Sequence, residues 1–114
     1  MKLGEYGEQA ACEYLRSKGY VIVTRNYHSR YGEIDIITRQ GETLVFVEVK
    51  TRGPRAIAEG RESVGLSKQK KLRNTALTYL AQQEGDPPAR FDVLELRGGI
   101  VGGPVSIEHI ENAF

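Results

Sequence analysis

The sequence predicts an α/β fold, a mixed β-sheet covered by helices. Three observations lead there. The periodic segments run in the order helix, three strands, helix, two strands; a short turn joins the second and third strands as a hairpin; and a helical crossover separates the third strand from the fourth. With 114 residues, 39% hydrophobic and 27% charged, the chain suits one domain, residues 1–114, built on a single core without disulfide or metal staples.

Each element has its own signal. Leu3, Tyr6, Gly7, Ala10, Ala11, Tyr14 and Leu15 recur at helical spacing and predict an amphipathic helix over 3–17, with Gly19 as its stop. The β-branched and aromatic run "YVIVTRNY" predicts a strand over 20–27, and "NYHSRY" (26–31) a polar connection. Segments 34–39 and 44–50 predict two strands around the turn-like "QGET" (40–43). Residues 51–66, punctuated by Gly53, Pro54, Gly60 and Gly65, show little periodicity. A connection of that length in a compact domain is usually functional or mobile. Ser67 is placed to cap a second helix that carries Leu72, Ala76, Tyr79 and Leu80 on one face, with Gly85 beyond its end and Pro87 and Pro88 against continuation. "RFDVLEL" (90–96) predicts a fourth strand, "RGGIVGGP" (97–104) a glycine-rich turn, and "VSIEHI" (105–110) a fifth strand at an edge.

Composition narrows the function classes. Cys12 is the only cysteine, which excludes an intramolecular disulfide and a four-cysteine zinc site and favours a reducing compartment. No apolar run approaches the roughly 20 residues needed to span a bilayer. The start "MKLGEYGEQAACEYL" is too acidic and interrupted for a signal peptide, so a cytoplasmic protein without membrane partners is expected. The net charge is only +1, but residues 50–73 hold eight basic side chains against two acidic ones. Such a segment is either the footprint of a docking polyanion or a solvated charged loop.

The charged positions inside strands carry the chemistry. On the third strand Val45, Val47 and Val49 share one face, whereas Leu44, Phe46, Glu48 and Lys50 share the other. A two-residue hairpin loop at Gly41–Glu42 sets Asp35 opposite Glu48 and Glu33 opposite Lys50, all on one face; an odd loop or a bulge would change that pairing. Like charges directly opposite are destabilising by a few tenths to about 1 kcal/mol. A divalent cation offsets this, since Mg²⁺ takes one or two carboxylates together with waters and phosphate oxygens. Lys50 is then placed to orient a water or stabilise charge developing on a phosphate, as in phosphodiester hydrolysis. The competing account is strand-end carboxylates in water, screened by Lys50 and Arg52. Glu33 and Glu42 are explained by exposed turns.

Lys68, Lys70, Lys71 and Arg73 crowd the N-terminal half of the second helix, where the dipole makes each cation cost typically about 0.3–1 kcal/mol. A bound phosphate reverses that penalty, and acidic neighbours elsewhere in the fold would do the same. Gln69 lies in the same turn. Glu8 borders the apolar stripe of the first helix, as a site residue or an ordinary surface acid. His28 and His109 show no metal-ligand spacing, and Asp92 interrupts its strand either to reach the site or for an edge or hydrogen-bonded role.

"GEYGEQAACEYLRSKGY", "RNY", "GEIDII", "LVFVEVKTR", the lysine-rich second helix, "RFDV" and "IEHIENAF" together resemble the bacterial YraN family over nearly the whole chain. That family is similar to restriction-endonuclease-like nucleases, especially archaeal Holliday-junction resolvases, with an αβββαβ core and a PD-(D/E)XK site. The resemblance implies that core with an extra C-terminal strand. It matches Asp35 to the first acid, Glu48 to the second, Lys50 to the lysine and Glu8 to a helix glutamate that some resolvases add. Ile34 stands where the motif often has proline.

These readings lead to a Mg²⁺-dependent (or Mn²⁺-dependent) nuclease acting on DNA, branched or junction DNA included. Asp35 and Glu48 are its expected metal ligands, Lys50 and Glu8 complete the catalytic set, and Arg52, Arg55, Lys68, Gln69, Lys70 and Lys71 contact nucleic acid. The alternative is a non-catalytic nucleic-acid-binding or adaptor protein that keeps the fold. A homodimer is allowed by the similarity to resolvases, although no heptad or exposed apolar stripe demands one.

Overall fold

A computed structural model of the chain describes residues 3–52, 64–98 and 105–114. Helix α1 (Leu3–Ser17) is followed by β1 (Val21–Ser29), β2 (Gly32–Gln40), β3 (Thr43–Arg52), α2 (Leu66–Leu80), β4 (Ala89–Gly98) and β5 (Val105–Ile110). The strands lie in chain order in one five-stranded sheet. β3 and β4 are parallel, which requires a crossover between them, and α2 supplies it. The other neighbours are antiparallel. The mixed sheet read from the sequence is therefore the one present, and its αβββαβ order with one more strand at the edge is compatible with a restriction-endonuclease-like core.

Alternation along the strands builds two apolar layers. Ala11, Cys12 and Leu15 of α1 pack with Ile36, Val45, Val47, Leu94 and Leu96 on one side of the sheet. Leu72, Ala76 and Tyr79 of α2 pack with Ile34, Ile37, Leu44 and Phe46 on the other. The valine face of β3 thus lies under α1, and the face bearing Leu44 and Phe46 lies under α2.

Several boundaries differ from those read locally. The polar stretch 26–31 is not a connection: β1 continues to Ser29, turns through Arg30 and Tyr31, and pairs Ser29 with Gly32. The layer above holds these polar residues in the strand. Tyr27 stands edge-on to the Tyr79 ring at 5.2 Å, and the Ser29 hydroxyl donates to Thr75 Oγ1 at 3.1 Å. Helix α2 starts at Leu66 with Gly65 in the cap position and no side-chain cap, so Ser67 lies inside the helix. Arg97 and Gly98, the first residues of the expected glycine-rich turn of 97–104, continue β4 and pair with β5, and the rest of that turn, residues 99–104, lies outside the described residues.

The β2–β3 hairpin closes on Gly41, at φ 60, and Glu42. Gln40 pairs with Thr43, and pairing continues to Ile36 with Val47. This is the register that directs Asp35 toward Glu48, but the ladder ends one position short of them. Ile34 and Ile36 pack in opposite layers, so the two-residue alternation breaks at Asp35. Asn26, between the residues that pair with Ile34 and Ile36, takes φ 54, a left-handed conformation that asparagine tolerates better than most residues.

Candidate functional site

Where the ladder ends, the Asp35 side chain stands in for the missing strand contact. The Val49 N–H donates to Asp35 Oδ2 at 2.8 Å. Glu48, only 7% exposed, shares one cleft with Asp35, about 580 Å³ in volume and walled also by Gly32, Glu33, Lys68 and Lys71. The two carboxylates therefore meet on one side of the sheet, although a side chain rather than a cross-strand pair brings Asp35 there. Lys50 Nζ is 3.7 Å from Glu48 Oε1, and Lys68 Nζ reaches the same oxygen at 2.6 Å.

Burial, followed by the charge of Glu48, pushes the Asp35 carboxyl up to about 6, against the Val49 N–H that favours its ionised form. Burial and then the neighbouring Lys68 push the Lys50 ammonium down. For Lys68 burial works in the same downward direction, but the hydrogen bond to Glu48 and the surrounding carboxylates outweigh it and hold the ammonium above its usual range.

The donor chemistry suits a hard divalent cation. Asp35 and Glu48 place carboxylate oxygens in one cleft. Mg²⁺ or Mn²⁺ takes such ligands, with waters and phosphate oxygens completing the shell. Among the described residues no group of three or more His, Cys, Asp and Glu is placed to hold a metal, and the carboxylates lining this cleft are those of Glu33, Asp35 and Glu48.

The remaining candidates separate. Glu8 accepts from Arg25 Nε at 3.2 Å and from Asn26 Nδ2 at 2.8 Å and is not among the residues that line the cleft. It acts on Asp35 only through its charge, which helps to raise that carboxyl. Lys71 lines the cleft, whereas Lys70 is exposed outside its wall. Gln69 turns away, donating to the Val64 carbonyl at 3.0 Å and lining a second hollow of about 250 Å³ beside Phe114. Arg52 ends β3 with a buried Nε that has no hydrogen-bond partner among the described residues. Arg55 lies outside the described residues.

Three more acids take defined places, and for Asp92 the hydrogen-bonded role is the one present. Glu33 is exposed, but it stands in β2 rather than in a turn and lines the cleft, and it shares the odd-numbered spacing of Asp35 that pointed there. Glu95 is 2% exposed, pairs with Lys50 in the β3–β4 ladder and bonds Arg97; the alternation of "RFDVLEL" was its only signal. Asp92 is fully buried away from the cleft, gripped by Arg90 Nε at 3.0 Å, His109 Nε2 at 2.7 Å and the Asn112 N–H at 3.0 Å. His109 also meets the Tyr14 hydroxyl at 3.1 Å.

A family model described as uncharacterised protein family UPF0102 matches residues 7–96, from α1 through most of β4. The chain is 46% identical to a UPF0102 protein of Symbiobacterium thermophilum, over 99% of this chain and 96% of that relative. It is 47% identical to a UPF0102 protein of Geotalea uraniireducens, over 98% of this chain and 88% of the relative. With one from Thermodesulfovibrio yellowstonii the identity is 40%, over 100% and 96%.

Proposed function

The chain belongs to the UPF0102 family, and from that premise we propose that it is a divalent-cation-dependent nuclease hydrolysing DNA phosphodiester bonds, with branched or junction DNA the first substrates to test. The observation that carries this reading is the cleft shared by Asp35 and Glu48, with Lys50 Nζ 3.7 Å from Glu48 Oε1. Bound there, Mg²⁺ or Mn²⁺ supplies Lewis acidity toward a phosphoryl oxygen. Asp35 and Glu48 hold it, and Asp35 is itself fixed by the Val49 N–H. Lys50 projects from the same strand face as Glu48 and orients the attacking water. Lys71, on the cleft wall, meets a backbone phosphate, and binding through the basic segment weakens as salt rises.

The second reading is a nucleic-acid-binding or adaptor protein without turnover. The close Lys68–Glu48 pair favours it, because a lysine already neutralises one expected ligand. Incubating purified wild-type protein with single-stranded, duplex, flapped and four-way DNA and with RNA, in Mg²⁺ or Mn²⁺, separates the two. The nuclease reading expects cation-dependent cleavage that falls by about 100-fold or more in Asp35→Ala and Lys50→Ala while binding persists. Binding without cleavage in either cation overturns it in favour of the adaptor.

A further inference from the structure

We propose that Lys68 is a displaceable counter-ion, neutralising Glu48 in the cation-free protein and released toward a substrate phosphate once Glu48 holds a divalent cation. The proposal rests on the reading that places the cation at Asp35 and Glu48.

The two partners are unequal. The Glu48 side chain is 8% exposed and fixed in the sheet, whereas the Lys68 side chain is 44% exposed and reaches Glu48 from α2 on a flexible stem. Lys68 is the partner that can leave. Its pull on Glu48 is strong at 2.6 Å, and Lys50 approaches the same oxygen at 3.7 Å, so Glu48 Oε1 lies within reach of two ammonium groups. A divalent cation bound to that carboxylate competes with both.

The helix gives Lys68 a reason to move. It sits in the first turn of α2, which has no acidic residue and no side-chain cap. The positive end of the dipole disfavours a cation there, and Glu48 offsets that. When the charge of Glu48 is shared with a cation, the ammonium faces the cation and the helix end together. A phosphate entering the cleft relieves both, because free helix N–H groups and an ammonium make an anion site. Cation binding and the Lys68–Glu48 contact are therefore linked, and the linkage is reciprocal.

Calorimetric titration with MnCl₂ of the wild type, Lys68→Met, Lys68→Arg, Lys71→Met and Glu48→Gln tests the first half, with circular dichroism confirming that each variant is folded. Lys68→Met should bind Mn²⁺ about tenfold more tightly than the wild type, in the usual range of such couplings. Lys68→Arg, which keeps the cation, should retain wild-type affinity, and Lys71→Met, on the same cleft wall, should change it much less. Salt titrations of DNA binding test the second half. In saturating Ca²⁺ the slope of log affinity against log salt should become shallower by about one in Lys68→Met. In EDTA, where Lys68 is engaged by Glu48, the slope should not change.

Wild-type or weaker Mn²⁺ affinity in Lys68→Met overturns the proposal. So does equal tightening in Lys71→Met, which would mean a general field effect, or an equal loss of slope in EDTA. Mn²⁺ binding that needs Glu48 but ignores Lys68 overturns the counter-ion alone; wild-type protein showing no Glu48-dependent Mn²⁺ binding overturns the nuclease reading with it.

Discussion

Asp35 combines two demands that oppose each other: it closes the end of a strand ladder by accepting from Val49 N–H, and it keeps a carboxylate half-buried beside Glu48. Its carboxyl is raised to about 6 from an ordinary 3.8, so between those values the folded protein binds more protons than the unfolded chain. Stability contributed by this group is therefore lost as pH rises from about 4 through 6. The substitution Asp35→Asn would keep an acceptor for Val49 without the charge. In EDTA, this variant is expected to raise the midpoint of thermal unfolding at pH 7–8, by about 1–3 kcal/mol in stability, with the gain vanishing toward pH 4. Equal stabilisation at all pH values would mean that charge is not the cause. The residue types "EID" and "EVK" were legible locally, but the side-chain bond that replaces the ladder was not, because it depends on where two strands part.

At the scale of the element, helix α1 approaches the end of β3 through a glycine. A Cβ at Gly7 would overlap Thr51 Cγ2, and Thr51 is β-branched, with little freedom to turn away. Alanine is favoured over glycine in a helix by about 1 kcal/mol. Gly7→Ala is nonetheless expected to destabilise the protein by about 1–3 kcal/mol, through overpacking. Thr51→Ser, which lacks Cγ2, should recover most of that loss, and urea unfolding of the two single variants and the double variant gives the coupling directly. The helix read from the sequence spans the same residues as α1, because its periodicity is local. Helix α2 starts before Ser67, at Leu66, because Gly65 takes the cap position and glycine serves there nearly as well as serine.

At the scale of the whole molecule, Asp92 ties distant parts of the chain together. Arg90 of β4 grips it and also donates to the Tyr20 hydroxyl at 2.7 Å, while His109 of β5 links it to Tyr14 of α1. Burial opposes ionisation, but the bonds from His109, Arg90 and Asn112 outweigh it and hold the Asp92 carboxyl below its usual range. Removing one partner of a buried pair strands the other charge. Asp92→Ala is accordingly expected to cost about 3–5 kcal/mol in chemical unfolding, more than Asp92→Asn, with no direct effect on the Asp35–Glu48 cleft. Among the described residues no helix is long and apolar enough to cross a membrane. The sequence by itself determined the order of elements and the valine face of β3, because periodicity acts between near neighbours, whereas the hairpin register it favoured extends only as far as Ile36 and Val47. Only the tertiary structure decided which charges meet. Lys68 on Glu48, Arg25 on Glu8 and His109 on Asp92 join residues 17 to 20 positions apart, and such partners are chosen by how helices and strands pack rather than by any local pattern.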